Sequence, residues 1–175
     1  GGIVTTNGVA DPLADYGNGY YNDHHFHYGY FIYAGATLAR LDINYFNTHR
    51  PAFEEIVNDI FNIDSSNTDY PYIRHKDSYE GHSWASGLFE QANGKNQESS
   101  SESCNAYYSV YLYAQTLGLT EMMKKAQIVL TTEVLATKKY WHIHDNSDIY
   151  DSVFSSRRMA ASIGALDVTS STWFG

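Results

Sequence analysis

The chain has 175 residues, 11 Lys and Arg against 20 Asp and Glu, a net charge of −9, and one cysteine. That length suits one domain with a core of its own, and an acidic surface with scattered cations excludes nucleic acid as a partner. No apolar run approaches the roughly 18 residues of a membrane span, and the lone Cys104 excludes a disulfide framework and reads as a buried structural thiol.

In chain order, residues 1–22 are rich in Gly, Asn and Asp and read as loop, with turn signals at Asp11-Pro12 and Gly17-Asn18-Gly19. They show no basic or apolar leader region. Residues 23–41 are apolar almost all round, which predicts a helix buried among other helices, with Gly29 and Gly35 available for close packing. Phe53, Ile56, Val57, Ile60 and Phe61 mark a one-sided helix that starts at Pro51, in the first turn where proline is tolerated.

Residues 62–98 form a long polar stretch, and loops of that length are usually functional. A helix follows from about 99–101, turns Tyr107, Tyr108, Tyr111 and Leu112 inward, and stops at Gly118. Thr120 is expected to cap the next helix, whose apolar face is Met122, Met123, Ala126, Val129, Leu130 and Val134 and whose end carries Lys138 and Lys139. A short helix is expected near 157–163, and no strand run or repeat is evident. Alternating buried and surface helices predict stacked helical hairpins. A closed ring of hairpins needs about twice this length. Together with the abrupt ending STWFG, this leads us to expect part of a larger domain.

Asp23 and His27 in NDHHFH are four apart and share a helix face. A carboxyl group at the mouth of an apolar helix is placed to have a raised pKa, as a general acid requires. The competing reading is an N-capping aspartate with locally satisfied histidines. A metal reading with Asp23, His24, His25 and His27 is weakened because His24 and His25 are adjacent and point apart. Glu98 and Glu102 repeat the four-residue spacing, beside the amides Asn96 and Gln97 that suit sugar hydroxyls. An acidic helix start explains either glutamate alone. Between these strings, Lys76, Asp77, His82 and Trp84 form an aromatic, polar loop, suited equally to stacking on sugar or to anchoring itself on the core. An acid, a base and a stacking surface are the parts of a glycosidase. No G-x-S-x-G elbow or phosphate loop is present.

Three strings, DYGNGYYNDHHFHYGYFIYA (15–34), DYPYIRHKDSYEGHSWASGLF (69–89) and GKNQESSSESCNAYY (94–108), closely resemble glycoside hydrolase family 81, the endo-β-1,3-glucanases. The likeness runs over nearly the whole chain, and Ser103-Cys104 is a minor departure. It implies an all-α fold, with residues 1–175 forming about half of an (α/α)6 barrel and a β-sandwich domain and the remaining barrel helices lying outside them. It also implies inversion without a cofactor, and essential residues at Asp23, His27, Glu98 and Glu102. The expected arrangement is Asp23 as acid, Glu102 in preference to Glu98 as base, His27 holding or tuning Asp23, and Lys76, Asp77, His82, Trp84 and Asn96 at the sugar subsites. An inverting pair stands roughly 6.5–9.5 Å apart. The expected partner is β-1,3-glucan, bound by a monomer in an extracellular or cell-wall setting. A non-catalytic glucan-binding fragment and a metal-dependent hydrolase or lyase using Asp23 and His27 are the alternatives.

Overall fold

The computed structural model describes residues 11–89 and 91–171. The first ten residues of the expected loop and the chain end from 172 lie outside the described residues. The elements run α1 (Ala14–Gly17), a 3-10 turn (Asn18–Tyr20), α2 (His24–Leu41), α3 (Ile43–Phe61), β1 (Asn96–Gln97), α4 (Ser100–Leu117), α5 (Thr120–Tyr140), α6 (Ser152–Ser155), β2 (Ser162–Gly164) and β3 (Val168–Thr169).

The four long helices make two hairpins, α2–α3 and α4–α5. The first helices of each, α2 and α4, pack against one another, α3 covers α2, and α5 covers α4. Ile32, Phe46, Val57, Ile60, Phe61, Tyr107, Val110, Tyr113 and Ala126 fill the core between them. The crossing of α2 and α4 depends on Gly29, where a Cβ would stand 2.8 Å from the Ala106 Cα. At Gly35 a Cβ would meet the Phe53 ring at 2.6 Å, so both glycines of α2 mark close approaches, as the sequence suggested.

Several elements differ from expectation. Helix α3 starts at Ile43, well before Pro51, which sits inside it. The Asp42 side chain accepts from the Tyr45 N–H and caps the extra turns. Phe46, fully buried against Phe53 and Tyr113, anchors them strongly enough to absorb the hydrogen bond that proline cannot donate. Helix α5 begins at Thr120 itself, with Leu119 at the cap position and no side-chain cap. Helix α4 is buried on two sides, so Tyr107, Val110, Tyr113 and Ala114 face inward while Tyr108 turns out to solvent. Its ends match expectation: Ser99 caps the start and Gly118, at φ 70°, closes it.

Toward the C-terminus, residues 157–163 are not a helix. Asp151 caps the short α6 instead, Arg158 has φ 67°, and the chain then enters an antiparallel sheet ordered β1-β2-β3. Asn96 pairs with Gly164 and Gln97 with Ile163. These strands are too short for a hydrophobic alternation to show in sequence. They matter because they clamp the segment just before Glu98.

We expect Gly29→Ala to cost about 1–3 kcal/mol by overpacking α2 on Ala106. Urea unfolding of the variant, compared with an exposed control such as Ala34→Ser on the same helix, measures this.

Candidate active site

Residues 62–98 have few apolar side chains to bury, so polar contacts must hold them. The anchor is Glu133 on α5, fully buried. Its Oε2 accepts from Lys76 Nζ at 2.8 Å and Ser83 Oγ at 3.0 Å. Its Oε1 accepts from the Ser83 N–H at 3.0 Å and Ser103 Oγ at 2.8 Å. Lys76 Nζ also donates to the Gly81 carbonyl at 2.6 Å. Burial pulls the lysine down from its ordinary range, while the Glu133 charge opposes the shift. Nothing in the sequence distinguished Glu133 from the surface polar residues of α5.

A second ionic cluster ties the start of α2 to α3 and the loop. His24 Nδ1 lies 2.5 Å from Asp59 Oδ2 and His24 Nε2 lies 2.8 Å from the Asn18 carbonyl. Arg74 donates to Asp59 Oδ1 at 2.9 Å and stacks over Tyr21 at 4.2 Å. Burial pushes the Asp59 carboxyl up, but its hydrogen bond to His24 and the nearby positive charges hold it below the usual value. Behind this cluster, His25 and His75 stack at 4.3 Å, both buried, with the Gln97 amide 3.4 Å from His25 Nε2. Burial lowers both imidazoles, His75 to about 3, so both are neutral.

These anchors force the chain through a strained turn. Asp15, Tyr16, Tyr21 and Asp23 all have positive φ, between 51° and 64°. Left-handed backbone costs a non-glycine residue about 1–2 kcal/mol, and such strain clusters at functional sites. Asp23 is at the N-cap of α2 yet makes no capping hydrogen bond, so the plain cap reading fails. Its carboxyl instead opens into a cleft of about 680 Å³ lined by Tyr16, Asp23, Phe26, His27, Gln91, Asn96, Glu98 and Glu102. Burial, then the charges of Glu98 and Glu102, push Asp23 up to about 7. It is therefore about half protonated near neutrality and largely protonated about one pH unit lower.

The cleft thus gathers Asp23, His27, Asn96, Glu98 and Glu102 from the sequence reading, because α2 and α4 begin at the same end. Glu102 is in the first turn of α4, where Tyr30 donates to its Oε1 at 2.9 Å. Glu98 precedes the helix rather than sharing a helical face with Glu102. The His27 imidazole makes no hydrogen bond to the Asp23 carboxyl among the described residues and its Nδ1 is buried without a partner there, while the His27 backbone N–H donates to the Asp23 carbonyl at 2.9 Å. Burial lowers its pKa. The raised Asp23 pKa comes from burial and the glutamates rather than from His27.

The other expected sugar contacts divide. Trp84 donates to Asp77 Oδ2 at 3.0 Å, and both line a smaller neighbouring cleft. Lys76 lines that smaller cleft too, with its ammonium bonded to Glu133, whereas His82, 2% exposed, packs among Trp84, Tyr140 and Trp141. Tyr16, Phe26, Tyr30 and Gln91 were missed by the sequence reading, as single aromatic or amide residues without a spacing signal. His24 and His25, weighed as metal ligands, turn to Asp59 and His75. Among the described residues no three His, Cys, Asp or Glu side chains are grouped to hold a metal. Cys104 is half-buried, its thiol pushed up to about 11 by burial and by the Glu133 charge.

The model of the glycosyl hydrolase family 81 C-terminal domain matches residues 1–175. The chain belongs to glycoside hydrolase family 81. A glucan endo-1,3-beta-D-glucosidase of Glycine max is 40% identical over 89% of this chain and 23% of its own length. A primary septum glucan endo-1,3-beta-D-glucosidase of Schizosaccharomyces pombe is 37% identical over 99% of this chain and 17% of its own. The chain therefore spans about a fifth of the length of these relatives. A solved family 81 glycoside hydrolase from Clostridium thermocellum, a glutamate-to-alanine mutant, superposes with TM-score 0.81 and 35% identity over 89% of this chain and 22% of that one. The hairpin pairs described above thus form part of a family 81 helical domain of α/α-barrel type.

Two outcomes follow for the family 81 cleft and its anchor. Glu133→Ala strands the Lys76 ammonium in the interior and should cost about 3–5 kcal/mol, read as a lower denaturation midpoint. Folded Asp23 holds its proton up to about 7, against 3.8 for the ordinary group, so its contribution to stability falls as pH rises through that interval. Asp23→Asn should consequently gain stability over the parent across the same interval, by on the order of a few kcal/mol, as pH-dependent unfolding would register.

Proposed function

We propose that this chain carries the acid–base centre of an inverting endo-β-1,3-glucanase. The observation that carries the reading is the Asp23 carboxyl, pushed up to about 7 by burial and by Glu98 and Glu102 in an open cleft. A carboxylic acid that holds its proton beside further carboxyl groups is the pairing that glycoside hydrolysis requires. The two relatives named as glucan endo-1,3-beta-D-glucosidases give the substrate class.

In this reading Asp23 donates its proton to the glycosidic oxygen as the bond to the anomeric carbon breaks. Glu102, held by the first turn of α4 and by the Tyr30 hydroxyl, takes a proton from water that attacks that carbon from the opposite face. Glu98 orients the water and keeps Asp23 protonated. His27, neutral at the cleft wall, contacts substrate or water through its ring. Asn96 and the exposed Tyr16, with Trp84 and Asp77 in the neighbouring cleft, receive the flanking sugars. Tyr16 offers the flat apolar face that suits a pyranose ring. No cofactor takes part. Residues 1–175 supply part of the barrel, and the rest of the cleft is formed by chain outside them. The septum named for the fission yeast relative supports an extracellular or cell-wall setting.

Reducing-end release from laminarin tests the proposal. Asp23→Asn and Glu102→Gln should each lower kcat by at least about a hundredfold, and chelator should leave the parent unchanged. Proton NMR of the first products should show the α anomer. A β anomer would mean retention, and chelator-sensitive cleavage would favour the metal-dependent reading. Binding without cleavage by the folded, intact protein would favour the glucan-binding reading. Because Asp23 must be protonated, kcat/KM should fall as pH rises through about 7.

A further inference from the structure

Asp23 and Glu98 come from separate parts of the chain, yet acid–base hydrolysis as proposed above, on which this inference rests, needs their carboxyls at one spacing. Residues 85–88 lie between them and bond to both sides. Toward the acid, the Asp23 N–H donates to the Ala85 carbonyl at 2.9 Å and the Leu88 N–H donates to the Tyr20 carbonyl at 2.7 Å. The Gly87 N–H donates to Asn22 Oδ1 at 2.7 Å. Toward the glutamates, the Ala85 N–H donates to the Asn96 carbonyl at 2.7 Å, and the Asn96 N–H donates to Ser86 Oγ at 2.9 Å. There is no slack in this arrangement, since a Cβ on Gly87 would stand 2.1 Å from the Tyr20 carbonyl oxygen. Trp84, just before the segment, is itself held in a reciprocal pair with His75 at 2.9 Å on each side.

We infer that residues 85–88 are the spacer that sets the distance between the acid and the glutamates, with Ser86 and Asn22 as its positioning residues. Ser86 is the informative one. Its hydroxyl takes the Asn96 N–H two residues before Glu98, the Asn96 side-chain amide donating to Gln91, and the β1–β2 pairing restrains the strand from the other side. Asn22 does the corresponding work beside Asp23, buried and bonded to Gly87, with its amide also reaching the Tyr16 carbonyl. Neither residue is in the lining of the acidic cleft, and Ser86 lines the smaller neighbouring one with Asp77 and Trp84. Their effect reaches the chemistry through the position of the carboxylates, and a displacement of about 1 Å is enough to cost on the order of a hundredfold in rate.

The test uses the intact protein with Ser86→Ala, Ser86→Thr and Asn22→Ala. Ser86→Ala should lower kcat about ten- to hundredfold with KM nearly constant, and Ser86→Thr, which keeps the hydroxyl, should recover most of it. The groups facing Asp23 are Glu98, Glu102, His27 and Tyr16. As Glu98 recedes in Ser86→Ala, the alkaline limit of kcat/KM should move to lower pH, a response that a merely looser fold would not give. Crystal structures of parent and variant should differ in carboxyl spacing by more than about 0.5 Å. Unchanged kcat and pH profile in Ser86→Ala, or equal losses in Ser86→Ala and Ser86→Thr, would overturn the inference. Should Ser86→Ala not fold, Asn22→Ala reads the acid side of the same spacer by the same measures. If the parent cleaves no β-1,3-glucan, the functional reading fails while the crystallographic spacing still decides the spacer.

Discussion

The order of this molecule's polar half depends on one buried charge. A carboxylate at Glu133 without partners would be expelled from the interior or neutralised. It is kept because four donors reach it: the Lys76 ammonium, the Ser83 amide and hydroxyl, and the Ser103 hydroxyl. Two donor residues come from the long loop and one from α4, while the acceptor belongs to α5. Satisfying Glu133 therefore closes the loop onto the second hairpin. An apolar replacement of similar volume could fill the same space. It would not specify where Lys76 and Ser83 must lie, and those positions fix Trp84, Ala85 and everything they bond to.

The second hairpin is then joined to the first by contacts of a different kind. Gly29 against Ala106 lets α2 and α4 approach until their N-terminal turns share a cleft. The left-handed residues before α2 bring Asp23 in at an angle that a regular cap would not allow. A regular cap would also give the carboxylate backbone N–H partners and favour its charged form. Denying Asp23 those partners, while burying it beside two glutamates, does the reverse. The strain in the turn and the protonation of the acid are consequences of the same departure from helix-start geometry.

How much of this was readable beforehand follows from the range over which each signal acts. Ser99 and Gly118 bracket α4 because capping is local chemistry, and Asp23, His27, Glu98 and Glu102 stood out by their spacing. Pro51 misled for the same reason: the local rule was sound, but Phe46 buries itself against Phe53 and against Tyr113 of α4 and extends α3 across the proline. The strands β1, β2 and β3 are a few residues each and owe their pairing to tertiary contacts. Glu133 and Tyr30 were invisible because their meaning lies in partners 57 and 72 positions away in sequence. His82 looked like a ligand for a sugar and is instead buried among Trp84, Tyr140 and Trp141, aromatic partners that no spacing rule connects to it.

The stacked pair His25 and His75 sets a limit of its own. In the unfolded chain each takes up a proton near 6.5, whereas the fold accepts neither until well below that. Acidification from 6.5 downward therefore favours the unfolded chain progressively, and two imidazoles at 4.3 Å cannot share the burden by both becoming charged. The wall beside Gln97 is thus destabilised by acid. An environment that acidifies as polysaccharide is degraded would dismantle the architecture from behind the carboxylates, while the proton needed at Asp23 was still in abundant supply.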